Sequence, residues 1–152
     1  MAHDQRIQWL RSTMPTNAVL IKERMPDEWF LALLERNPTN RPAFEHLMTL
    51  CLVAARPDLV ARNIYRMDKF GYPRPYLPEH YAEAVVALMA RTGAQPDLHG
   101  WQIRADTQRR FQECMEVARR YKGDSPAIER ELWKRFPGSY FRYLLVGEKG
   151  RP

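Results

Sequence analysis

Residues 40–70 read NRPAFEHLMTLCLVAARPDLVARNIYRMDKF, and this stretch decides the fold. Asn40 is a good N-cap, and Pro42 suits the first helical turn, where a missing amide proton costs nothing. From Ala43 to Ala55 the chain is apolar nearly all round, through Phe44, Leu47, Met48, Leu50, Cys51 and Val53. Such a helix is expected at the centre of a domain. Arg56-Pro57-Asp58 breaks it, and a second helix follows at once over Leu59–Phe70. Val60, Ile64 and Met67 form its inward stripe, with Arg62, Arg66 and Lys69 outward. Two helices joined so tightly must pack antiparallel, so the stretch predicts a helical hairpin.

The same periodicity runs outward in both directions. Upstream, Ile7, Trp9 and Leu10 suggest a short helix over His3–Thr13, and Met14–Arg24 reads as irregular. Pro26-Asp27-Glu28 opens a helix with proline at its start and acids at the positive end of its dipole; Trp29, Phe30, Leu33 and Leu34 line it, and Asn37-Pro38 ends it. Downstream, Gly71–Pro78 carries three prolines and reads as a rigid, extended connector. A helix over Glu79–Arg91 closes at Thr92-Gly93. Residues 94–103 form a loop expected to tuck Trp101 and Ile103 onto the body. Asp106–Lys122 is amphipathic, Ser125-Pro126 starts a helix through Ile128, Leu132, Trp133 and Phe136, and Tyr140–Val146 adds a last apolar turn or two before a loose tail, Gly147–Pro152.

Glu45-His46 and Glu79-His80 each open an apolar helix, and Leu47/Tyr81, Leu50/Ala84, Cys51/Val85 and Val53/Ala87 then fall in step. The offset of 34 residues is the tetratricopeptide period. The expected fold is therefore all-α: antiparallel hairpins of a degenerate, tetratricopeptide-like repeat, about seven helices in one domain, stacked around the near-wholly apolar helices 43–55 and 79–91. Its parts are an N-terminal helix and irregular segment (1–25), hairpin repeats (26–93), C-terminal helices (104–146) and the tail (147–152).

The stretches Leu33–Met48, Asp68–Tyr72, Leu77–Ala84 and Phe136-Pro137-Gly138-Ser139-Tyr140-Phe141, in this order, resemble the C-terminal part of a family of uncharacterised bacterial proteins. Longer members of that family carry membrane-spanning segments ahead of a helical-repeat region. The resemblance covers roughly residues 26–145 and rests on packing and turn motifs. It implies a fold, and it supplies no activity and no catalytic residue.

Composition narrows the function. Hydrophobic residues make up 45% and charged residues 28% of 152, the balance of a folded domain. The opening Met1-Ala2-His3-Asp4-Gln5-Arg6 has no apolar signal core, and no run approaches the roughly 20 apolar residues of a membrane span. The expectation is a soluble, cytoplasmic chain. Cys51 and Cys114 both sit in apolar surroundings and are expected as buried thiols, with a disulfide left open. There is no glycine-rich phosphate loop, nucleophile elbow or Cys-x-x-Cys motif. No catalytic, cofactor-binding or metal site is assigned, and the expected class is a non-enzymatic protein–protein interaction or scaffolding domain. Its groove would be lined by outward residues such as Arg62, Arg66 and Lys69.

Two alternatives rest on particular residues. His46 and His80, with Glu45, Glu79 and Glu83 nearby, would need three or four converging ligands to hold a metal; the simpler reading is two polar residues in exposed first turns. His99, beside Asp97, reads as a loop histidine. The second alternative is charge. Residues 1–100 hold 12 basic and 11 acidic side chains, residues 101–152 hold 12 and 7. Asp106–Arg110, Glu116–Arg120 and Glu131–Arg135 can pair one turn apart, which leaves Arg109, Arg119, Lys122, Arg130 and Lys134 as a candidate surface for nucleic acid or an anionic membrane. The C-terminal aromatics recur with Ile128 and Leu132 at helical spacing, which reads as a core stripe and favours the interaction module.

Overall fold

The computed structural model describes residues 26–147. The helix expected over His3–Thr13, the irregular segment after it, and the tail beyond Gly147 lie outside that span. The described residues form seven α-helices: α1 (Pro26–Arg36), α2 (Arg41–Val53), α3 (Pro57–Asn63), α4 (Glu79–Thr92), α5 (Ala105–Arg120), α6 (Ser125–Arg135) and α7 (Tyr140–Gly147). Among them there is no strand, and a single isolated bridge joins Tyr76 to Gln102. Each helix packs on the next, as the all-α hairpin reading requires.

The helix starts follow from local chemistry. Asn40 Oδ1 accepts the Ala43 amide at 3.1 Å, and Asp124 Oδ1 does the same for Ala127 at 2.9 Å. Pro57 begins α3 with Asp58 in its first turn. α2 ends earlier than expected: Ala55 takes a left-handed conformation (φ 53°), and the Arg56 amide reaches back to the Cys51 carbonyl at 2.8 Å. The helix expected over Leu59–Phe70 also changes character, because Ile64–Lys69 is a 3₁₀ segment. Asn63 explains the change. Its side-chain amide donates to the Leu59 carbonyl at 2.9 Å while its oxygen accepts from Arg66, so it competes with the regular ladder.

Of the two apolar helices expected at the centre, 43–55 and 79–91, the second is central and the first is corrected: α2 lies to one side. It buries Ala43, Phe44, Leu47, Met48 and Cys51 along one side, whereas Thr49 is exposed and Val53 is 57% exposed. The central helix is α4. It buries Ala82, Glu83, Ala84, Val85, Val86 and Leu88 and packs against α2, α3, α5 and α7. Its two faces feed two cores. Ala84, Val85 and Leu88 join Leu34, Phe44, Leu47, Met48, Val60, Ile64 and Trp101, whereas Val86 joins Cys114, Val117, Leu132, Phe136 and Phe141.

The chain does not continue as an open stack after α6. α7 turns back onto α4 and α5, and its tyrosines reach α2: the Tyr140 hydroxyl donates to the Leu52 carbonyl at 2.8 Å, and Tyr143 donates to that of Val53. Among the described residues no helix is long and apolar enough to cross a membrane.

Candidate binding groove

The proline-rich connector, residues 71–78, builds one wall of a groove. It runs extended because it is pinned to the loop that leads into α5. The Gln102 amide donates to the Pro75 carbonyl at 2.8 Å, and the Leu77 amide donates to the Gln102 carbonyl at 3.0 Å. Arg74 locks the two segments together. It pairs with Asp68 and lies over the Trp101 ring at 4.6 Å, while Trp101 Nε1 donates to the same Asp68 carboxylate at 3.2 Å. Gly100 permits this packing. Its φ is +79°, and a Cβ there would sit 3.1 Å from Arg74 Nη1.

The opposite wall is the first turns of α5, with Arg104, Asp106, Thr107 and Arg110 facing Tyr72, Tyr76 and Glu79 across a cavity of about 640 Å³. That size lies within the range of roughly 300–1,000 Å³ common for ligand pockets. Tyr76 is 39% exposed, and the Arg104 guanidinium lies 4.5 Å over its ring. Arg41 covers Tyr72 in the same way at 5.0 Å. Burial, and after it the Glu45 carboxylate, raises the Tyr72 phenol above its ordinary value, so the ring presents a neutral hydroxyl. Arg110 bonds Glu79 and stands 3.7 Å from Glu83.

Glu83 backs this wall from inside the protein. It is fully buried, and the Ser139 hydroxyl and the Tyr140 amide donate to its two oxygens at 2.8 and 2.7 Å. The exposed His80 stands at 3.3 Å. A buried carboxylate survives when its lone pairs are filled and a cation is near. Here it also caps the first turn of α7, and so holds α4, α5 and α7 in one arrangement.

The residues singled out from sequence fall elsewhere. Arg62, Arg66 and Lys69 do not line the groove; Arg66 bonds Asn63 and covers Tyr65. Arg109 is not unpaired, since it stands 3.8 Å from Glu113. Arg119, Lys122, Arg130 and Lys134 are exposed. Arg110 turns to Glu79 and Glu83 instead of closing a simple pair with Asp106. Trp133, placed in the buried stripe from sequence, is 58% exposed under Arg142 at 3.8 Å. It follows Leu132 by one residue, and one residue turns the helix about 100° away from the core. Phe136, Tyr140 and Phe141 are buried, as the stripe predicts, whereas Tyr143, expected with them, is 38% exposed.

His46 bonds the Pro42 carbonyl and stacks on Phe30; His99 stands 3.6 Å from Asp97. Among the described residues no three His, Cys, Asp or Glu side chains converge on a point that could hold a metal. Both cysteines are free and buried in separate cores, where burial raises Cys51 to about 11 and Cys114 to about 12.

Sequence reading missed the groove because its walls lie some thirty residues apart. The available signal was the Tyr72-Pro73-Arg74-Pro75-Tyr76 run, where aromatic and basic side chains alternate on a chain that cannot form a helix. No curated protein and no solved structure matches the chain. Residues 1–147, a span reaching ahead of the motifs that carry the resemblance, match the model of a family of unknown function (DUF6057), and the chain belongs to that family.

Proposed function

We propose that this chain is a non-enzymatic interaction module and that the groove between the 71–78 connector and α5 receives a segment of a partner protein. The observation that carries this reading is the composition of the groove: exposed tyrosine and arginine on walls held rigid by the Gln102 pairing and the Asp68–Arg74–Trp101 lock. Tyrosine and arginine dominate the energetics of protein interfaces because each offers a large, stiff surface with a polar tip. The resemblance to helical-repeat regions of larger proteins supports the same class, in which a surface and not a reactive group performs the function.

A photo-crosslinking amino acid placed at Tyr76, and separately at Trp133, tests the reading in cells that make the protein. Protein adducts at position 76 and few at 133 are expected. Adducts at 133 alone would refute the groove.

Trp133 supports a second reading. An exposed indole under Arg142, with Arg130 beside it in a shallow pocket formed with Pro126 and Glu129, is a surface that an anionic partner could use. A titration with labelled single-stranded and duplex nucleic acid at about 50 and 200 mM salt separates the two. Binding that collapses at the higher salt and depends on Arg130 and Lys134 would favour the basic surface. Absence of binding at low salt leaves the groove.

A further inference from the structure

Resting on the groove reading, we infer that the groove selects an extended peptide presenting a single carboxylate next to a proline or aromatic residue. Its charge is small and specific. The lining holds Arg74, Arg104 and Arg110 beside Glu79 and Asp106, and the carboxylates of Asp68 and Glu83 stand behind two of the arginines. Two of the arginines are engaged: Arg74 by Asp68, and Arg110 by Glu79 and Glu83. Arg104 differs. It is exposed, it lies over Tyr76, and among the described residues no carboxylate stands within 4 Å of it.

A guanidinium fork on an aromatic face is preorganised to take a carboxylate through two hydrogen bonds. α4 and α5 also begin at this groove with no side-chain cap, after Pro78 and Arg104 respectively, so the positive ends of both dipoles add to the same local field.

The acids decide against a more highly charged ligand. A phosphate carrying nearly two charges would meet Glu79 and Asp106 at the cavity. The single lining guanidinium without a carboxylate partner among the described residues, Arg104, is too little to offset both that repulsion and its desolvation. One carboxylate is the matching charge. The rest of the lining is Tyr72 and Tyr76, each with a guanidinium over its ring, with Pro73, Leu77 and Pro78. Aromatic-lined grooves of this kind accept proline and aromatic side chains from chains that are already extended, so little conformational entropy is lost on docking.

Panning a random-peptide display library on the full chain, followed by anisotropy titration of the enriched peptides, tests this. Enriched peptides should share one Asp or Glu close to a Pro or aromatic residue. Arg104→Ala should weaken them roughly tenfold or more, the loss of a charge-assisted hydrogen bond. Replacing the peptide acid by its amide should cost a similar factor against the native chain and little against Arg104→Ala, the non-additivity of a direct contact. Circular dichroism of each variant should match the native helix signal. Peptides that lose binding on Tyr76→Ala but are neutral or basic would overturn carboxylate selection and leave the groove standing. Peptides indifferent to both Tyr76→Ala and Arg104→Ala, or no enrichment at all, would overturn the groove itself.

Discussion

The Glu-His pairs of α2 and α4 lie 34 residues apart, but Glu79 opens α4 whereas Glu45 falls in the second turn of α2, and the two helices occupy different positions in the molecule. Of the four pairs in step, Cys51 and Val85 are both buried, whereas Leu47/Tyr81 and Leu50/Ala84 each have one partly exposed member and Val53 is exposed. Two residues before Cys51 and Val85 the equivalence fails: Thr49 is exposed and bonds its own helix at Glu45, whereas its counterpart Glu83 is fully buried. The shared spacing gives each helix an apolar face that joins the same core. It does not fix what arrives on the other side. α4 receives α5 and α7 there, and a carboxylate that would be ordinary surface on α2 becomes the junction of three helices.

The largest test of that contrast is Glu83→Ala. Removing the acid leaves Arg110 without one of its partners and the α7 amide unsatisfied, so a loss of about 3–5 kcal/mol is expected in urea unfolding. Thr49→Ala should stay within about 0.5 kcal/mol, the range of ordinary surface changes. Equal effects at the two positions would mean that the helices are equivalent after all. Second in size is Tyr140→Phe, which removes the bond closing α7 onto the α2 carbonyl at Leu52. It should cost about 1 kcal/mol, and a neutral result would make that closure incidental.

The helix ends sharpen the comparison. α2 ends in a left-handed Ala55, α4 in a left-handed Gly93. Nothing stands within 4 Å of a Cβ built at Gly93, so the conformation alone sets the penalty there. Gly93→Ala should therefore lower stability by about 1 kcal/mol, and Ala55→Gly should raise it by somewhat less, because glycine also loosens the unfolded chain. Opposite signs in thermal melts are the expected outcome. The smallest effect is at the thiols. With Cys51 and Cys114 raised by burial, almost no thiolate exists at about pH 8, so both should react far more slowly with a disulfide reagent in the native protein than in urea. Fast native labelling of either would contradict its burial.

Local rules made much of the fold legible. Pro26, Asn40 and Ser125-Pro126 mark helix starts because each acts within one turn, and Gly93 marks a stop for the same reason, whereas Pro57, read as part of a break, begins α3. What stayed hidden depends on distant partners. The bonds to Glu83 come from Ser139 and Tyr140, 56 and 57 residues later. The groove exists because Gln102 pairs with the connector at Pro75 and Leu77, and no periodicity in either segment announces that pairing. Trp133 misled because tryptophan in an amphipathic helix is ordinarily core, and a one-residue offset from Leu132 was enough to turn it outward. Arg109 and Glu113 stand at the same one-turn spacing as the pairs drawn from sequence and should have been matched by it, whereas spacing could not foresee that Arg104, before the helix, would be an exposed guanidinium at a cavity.

The most direct test of the groove is amide chemical-shift mapping of the full chain during titration with the tightest peptide from the display experiment. The largest shifts should fall in residues 72–78 and 101–110, with 119–134 nearly still. Shifts centred on 119–134, with the groove silent, would contradict the account and assign binding to the basic surface.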